Sequence, residues 1–459
     1  MKQVRKISTV LLSLLLILSL SVSSLAATPM PFDDWTANWD QHTSDYGKIA
    51  LTPGKDATEM NFAWVTFLQD PDPAFKYGRE ADLSDAIDAE VSVVRTPLYF
   101  YSHKVSLTGL TPGTWYYSYR TNNAWQDPVA FTVNDPSNGF QVMYISDVQT
   151  GRSGDETSTS VLQHDSYGWY TTLNAAEEVA PGYSFILSGG DQVETATTKV
   201  QYNLLLASDY MKSTPIAATI GNHDMASSLY YHHFNNPNNY KDTVYSKGGY
   251  PYYFGYGEAL FIVLDSNLSL KGDQDDILSA AVKAYPQAKW RVVMMHHSIY
   301  STNGNDPDLR KDYAPLFDKY SIDIVLSGHE HIHGRTYPLK GGSVVENGGT
   351  VYLAAPSASG SNMNHTDERP DYIAAAYDFN VPGFNIISFA DGALSVKTYR
   401  SDNQEIVDEF TIEKDTSTPA STPDSNSGFF HKVLKWFVNN LLSRILPYIP
   451  FFFNYEPII

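Results

Sequence analysis

Cysteine is absent from all 459 residues. That excludes disulfides, thiolate metal sites, a cysteine nucleophile and a lipidated cysteine. Stability must come from core packing and from any bound metal, whose ligands would have to be His, Asp, Glu or Asn. Positive charge is scarce: 31 Lys and Arg stand against 51 Asp and Glu, a formal charge of −20. Such a field argues against binding nucleic acid or an anionic surface through the whole molecule. The apolar run Val10 to Leu20 is too short to span a bilayer comfortably. With Lys2, Arg5 and Lys6 before it and Ser24-Leu25-Ala26 after it, residues 1–27 read as an export signal cleaved near Ala26 or Ala27, rather than as an anchor.

Present instead are 42% hydrophobic residues and 14% aromatics, with 32 Tyr. The first figure is that of a globular chain, and the length permits two or three domains with their own cores. From 28 to 136 the pattern is all-β. Met60 to Trp64 alternates like a half-buried strand, and Thr111-Pro112-Gly113 marks a turn before Trp115 to Tyr119, so a β-sandwich is expected. From 137 to 414 unbroken apolar runs recur at Val142–Ile145, Phe185–Leu187, Ile216–Ile220, Leu260–Leu264, Val292–Met295 and Ile322–Leu326. Helix-compatible stretches such as Asp276–Tyr285 lie between several of them. Runs of this kind predict sheets buried on both faces in an α/β layered domain. Residues 415–428 form a Ser/Thr/Pro linker, and 429–459 a tail in which Phe430, Leu434, Phe437, Leu441 and Ile445 share one helical face.

Five of the apolar runs end in metal-ligand residues. The chain reads Asp147-Val148-Gln149, then Gly190-Asp191, then Gly221-Asn222-His223-Asp224, then His296-His297, then Gly328-His329-Glu330-His331. A strand ending in Asp is commonplace, and a lone His is more often structural than a ligand. The ordered set is far more specific, because strand carboxyl ends in an open α/β sheet can converge on one cleft.

With these motifs the sequence resembles the calcineurin-like metallophosphoesterase superfamily, in its purple acid phosphatase-like branch. The segment VSLTGLTPGTWYYSYR resembles the fibronectin type III-like domain that precedes the catalytic domain there. The resemblance implies a four-layer catalytic fold of two packed sheets flanked by helices. It also implies two metal ions (Fe, Mn or Zn). Asp147 and His331 would bind the first, Asn222, His296 and His329 the second, and Asp191 would bridge both. A hydroxide between the metals would attack phosphorus in line, with His223 assisting the leaving oxygen. Asp224 would orient that imidazole or serve as a plain turn residue. The implied activity is hydrolysis of phosphate monoesters by a secreted, dinuclear-metal phosphoesterase. A phosphodiesterase or nucleotidase on the same scaffold is the alternative, and a non-catalytic surface-binding protein stands further off because the six ligand positions are all occupied. Since the net charge would repel a phosphate ester at long range, the site needs concentrated local positive charge, which metal supplies.

Three features depart from the family pattern. Glu194 stands where the purple branch has Tyr, so the protein should not be purple. Gln149 stands where other members place a His ligand, and Asn305 and Asp306 stand where plant members carry a His pair. His297 should point away from the site if the strand continues through it, Arg335 should form a local salt bridge, and His164 should lie on a helix. His232 and His233 either rim the pocket or pack against the domain. The tail, with Lys432, Lys435 and Arg444, would suit a membrane or cell-envelope contact, docking on the catalytic domain, or docking on a second copy of the chain.

Overall fold

The computed structural model describes residues 29–44, 48–67, 72–96, 100–121, 123–241, 249–267, 271–302, 307–366, 369–378, 380–390 and 392–414, and Val433. The expected export signal, the expected linker, the tail apart from Val433, and the positions of Asn305 and Asp306 lie outside the described residues. No described helix is long and apolar enough to cross a membrane.

Residues 50–133 fold into two packed antiparallel sheets. One runs in the order Ala50–Pro53, Met60–Thr66, Tyr101–Leu107, Ser92–Arg95; the other is centred on Gly113–Thr121. Phe62, Trp64, Phe75, Tyr117 and Phe131 fill the space between them. The strand Met60–Thr66 alternates as expected, yet it is buried on both faces. Its polar side is covered by the second domain, where Asn61 Nδ2 donates to Asn235 O at 2.9 Å.

The all-β expectation fails at the start of this region. Phe32–Ala37 and Trp39–Thr43 are helices that pack on helices of the α/β domain rather than on the sandwich. Trp35 stacks on His42 and Tyr170 at centroid distances of 3.9 and 4.7 Å, and its indole N–H donates to Ser166 Oγ. One buried ring anchors these two short helices, and burial of that size outweighs their weak local propensity.

The α/β domain has a six-stranded and a seven-stranded sheet. The first runs in the order Ile216–Ala218, Ile186–Ser188, Phe140–Ile145, Gly383–Ala390, Ala393–Arg400, Ile406–Glu413. The second begins Tyr252–Tyr256, Ala259–Val263, Trp290–Met294, Ile324–Ser327, Val351–Ala354. Tyr144, Leu187, Phe261, Val292, Leu326 and Ile387 make the core between the sheets. Helix Thr159–Val179, which contains His164, covers the outer face of the first sheet, and Lys271–Ala284 with Pro307–Lys319 covers that of the second. Helix, sheet, sheet and helix thus form four layers. Strands Phe140–Ile145, Ile186–Ser188 and Ile216–Ala218 run parallel, as do Trp290–Met294 and Ile324–Ser327. Their carboxyl ends therefore emerge together.

Candidate metal centre

Three of the five apolar strands deliver their polar residues through a sharp change of backbone direction. Asp147, Asp191, His329 and His331 have φ of 51°, 51°, 72° and 56°, and Gln149 between them has 40°. Ten described non-glycine residues have positive φ, and these five are half of them. Left-handed backbone costs on the order of 1 kcal/mol or more at such residues and tends to persist where function requires it. Two glycines are forced by crowding here. A Cβ on Gly221 would sit on Asp191 Oδ1, and one on Gly328 would overlap Ser146 Oγ and lie 2.5 Å from Asp147 Oδ2.

The side chains converge. Ligand atoms of Asp147, Asp191 and His296, all buried, lie within 4.8 Å of one another. Asp191 Oδ2 is 3.2 Å from His296 Nε2, and Asp147 Oδ1 is 3.3 Å from His331 Nε2. Asn222 Oδ1 is 3.0 Å from both His296 Nε2 and His329 Nδ1. All six ligand positions read from the sequence therefore surround one small volume.

Backbone groups aim these side chains. His296 Nδ1 meets Gly189 O at 3.0 Å and His331 Nδ1 meets Asn362 O at 3.0 Å. A carbonyl accepts, so each Nδ1 carries a proton and each Nε2 is left facing the carboxylates, the orientation a metal-binding imidazole requires. His329 N donates to Asp147 Oδ2 at 3.0 Å, and Ser357 Oγ donates to Asp147 O at 2.8 Å. Electrostatically, burial opposes charge at both Asp191 and His296, but each overrides it in the other: the carboxyl is pulled below its usual range and the imidazole pushed above its own. The crowded carboxylates thus favour a neighbouring cation. The donor set of carboxylates, imidazoles and an amide oxygen fits a divalent ion of the Mn, Fe or Zn kind.

His223 stands at the rim, one-quarter exposed. Its Nδ1 meets Glu194 O at 2.9 Å and lies 3.3 Å from Glu194 Oε2, while Arg152 pairs with Glu194 Oε1 at 3.1 Å. Glu194 therefore holds His223, and its carboxylate is turned toward Arg152 and the imidazole. The orienting role expected of Asp224 is not what the geometry gives. The Asp224 carboxylate is buried and accepts from Gln192 N at 3.0 Å and Gly221 N at 2.9 Å, tying the loop of Asp191 to that of Asn222. Burial and the neighbouring Asp191 push its pKa up.

His297 departs from expectation because the strand ends at Met294, which cancels strand alternation. Its ring lies 4.6 Å from that of His329, and its Nδ1 is 2.8 Å from Ser266 Oγ. Arg335 forms a two-pronged salt bridge with Asp408, at 2.7 and 3.0 Å. His232 and His233 are buried on helix Leu229–His233, where the His233 ring stacks on Tyr202 at 4.2 Å and His232 O accepts from Ser102 Oγ. Residues that sequence reasoning passed over include Ser357, Ser359 and Asn362. They lie over 200 residues after Asp147 and act through hydroxyls and a carbonyl, so no spacing signal announces them.

Comparisons with known proteins agree with this architecture. Residues 140–333 match the Calcineurin-like phosphoesterase family, and residues 47–133 match the family described as Purple acid Phosphatase, N-terminal domain. An uncharacterized protein of Mycobacterium tuberculosis is 35% identical over 107 residues, covering 22% of this chain and 18% of that one. An acid phosphatase of Aspergillus ficuum is 27% identical over 145 residues, covering 27% of this chain and 24% of that one. The aligned region thus spans under a quarter of either relative. In fold, the purple acid phosphatase PPD1 from yellow lupin (Lupinus luteus) seeds superposes with a TM-score of 0.64 at 17% identity, over 82% of this chain and 77% of that one. Residues 47–133 thus form a purple acid phosphatase N-terminal domain and residues 140–333 a calcineurin-like phosphoesterase domain, in a fold similar to that of the lupin enzyme.

Proposed function

We propose that this chain is an exported hydrolase of phosphate esters, working with two divalent cations and acting on monoesters. The observation that carries the proposal is the meeting of Asp147, Asp191, Asn222, His296, His329 and His331 in one buried cluster at the strand ends. Asp147 and His331 would hold one ion and Asn222, His296 and His329 the other, with Asp191 between them. When bound, such a pair supplies Lewis acidity at the phosphoryl oxygens and lowers the pKa of water, so that a nucleophile exists near neutral pH. The chain's own part is to hold and to move a proton. His223, with Nδ1 fixed by Glu194, keeps Nε2 for the leaving oxygen, which needs a proton as the ester bond breaks. Export is supported by the basic and apolar start of the sequence.

The test is metal analysis of the purified protein beside a hydrolysis screen of mono- and diesters, with and without chelator. Metal-dependent turnover of monoesters is expected, and Asn222→Ala or His296→Ala should abolish it. Unchanged turnover in either folded variant defeats the proposal. A preference for diesters would favour the phosphodiesterase alternative.

A further inference from the structure

Under the proposed assignment the first cation has three protein ligands, Asp147, Asp191 and His331, one fewer than the second. A fourth group stands beside them. Gln149 is 1% exposed, and its backbone N donates to Asp191 O at 3.0 Å. Its φ of 40° belongs to the same left-handed set as the ligands themselves. The side-chain amide reaches the bridging carboxylate, with Nε2 3.5 Å from Asp191 Oδ2, at the limit of a hydrogen bond. Its Oε1 is buried and has no hydrogen-bond partner among the described residues. A buried amide oxygen without a donor costs roughly 1–3 kcal/mol, and a half-turn of the amide exchanges oxygen for nitrogen without changing its volume.

We infer that Gln149 is a metal ligand, giving its amide oxygen to the first cation. This rests on the two-cation hydrolase proposed above. Glu194, a second, partly buried side chain nearby, turns Oε1 to Arg152 at 3.1 Å, and its Oε2, also without a hydrogen-bond partner among the described residues, lies beside His223 Nδ1 at 3.3 Å rather than against Asp191. The inference makes the two sites chemically unequal. Asp147, Asp191, Gln149 and His331 offer three oxygens and one nitrogen, whereas Asp191, Asn222, His296 and His329 offer two of each. Oxygen-rich sets favour harder ions such as Mn²⁺, and imidazole-rich sets suit Zn²⁺. The first site should therefore discriminate against zinc more than the second does.

The full-length protein, stripped with chelator, can be titrated calorimetrically with Mn²⁺ and separately with Zn²⁺, and the ions retained per chain counted after dialysis. Wild type should show two classes of Zn²⁺ site. Gln149→Leu should weaken one class of Mn²⁺ site by at least about tenfold, judged against the effect of disturbing groups around a metal. Gln149→His should tighten the weaker Zn²⁺ class toward the stronger and alter the visible spectrum of the Co²⁺-substituted protein; it also serves if Gln149→Leu does not fold. Folded variants that bind both ions with wild-type constants and keep the wild-type Co²⁺ spectrum overturn the inference and leave the hydrolase proposal standing. Wild type that takes up no ion overturns both.

Discussion

Asp224 offers the sharpest separation between a residue that serves the imidazole beside it and one that braces the backbone. Its carboxylate accepts from two buried N–H groups, Gln192 N on the loop of Asp191 and Gly221 N on the loop of Asn222. Asp224→Ala strands both donors. Each costs roughly 1–3 kcal/mol when left unsatisfied. Part of that is returned, because the acid lies close to Asp191 and like charge raises its pKa. A net loss of about 3 kcal/mol is expected, read by urea denaturation of the metal-free protein so that ligand binding does not mask it. The loops should also part, lowering metal retention. A variant within about 0.5 kcal/mol of wild type, the spread of ordinary surface changes, with normal metal content and a reduced kcat alone, would refute the bracing argument and restore the orienting role.

Further outcomes follow from other parts of the structure. Glu194→Ala releases His223 Nδ1 from one of its two partners and should lower kcat by roughly tenfold or more with little change in KM, consistent with the loss of general-acid alignment; steady-state kinetics on a monoester decide it. Gly328→Ala puts a methyl group onto Ser146 Oγ and beside Asp147, so metal counted per chain after dialysis should fall while the far-ultraviolet circular dichroism is retained. His233 is held at a pKa of about 3, first by burial and then by Lys199. The unfolded chain takes up a proton near pH 6.5 that the folded chain refuses, so stability falls as pH drops from 6.5 toward 3. His233→Phe, which keeps a ring against Tyr202, should flatten that slope by up to about 1.4 kcal/mol per pH unit. Parallel urea midpoints for both proteins across pH 4.5 to 6.5 would contradict it.

The ligands were legible in the sequence because each follows an apolar run, and a buried parallel strand can release a polar residue only at its end. The bracing contacts were not. Adjacency in the chain suggests that Asp224 orients His223 or makes a plain turn, whereas a carboxylate in a tight loop meets backbone N–H groups more readily than the next side chain. His297 was misplaced because strand alternation was carried three residues past Met294. The helices at Phe32–Thr43 were missed because six- and five-residue helices have too little periodicity to stand out, and what fixes them is Trp35 seated against Tyr170, far along the chain. The pattern at Met60–Trp64 was read correctly, but a single strand cannot say whether water or another domain lies over its polar side.

That covered strand bears on how the molecule can be cut. Asn235 joins the halves in both directions: its carbonyl receives Thr52 Oγ and Asn61 Nδ2, and its amide donates to Val105 O. Ser102 Oγ and Lys104 Nζ add bonds to His232 O and Tyr231 O. The segment so fastened begins only a few residues after His223. Removing the sandwich at 133–140 would leave a row of main-chain acceptors without their donors and bare a hydrophobic flank at once, and the liberated α/β fragment would be expected to clump or to lose the shape of its cleft. The forward domain is a buttress, and its removal would be felt at the cluster of Asp147, Asp191 and His296.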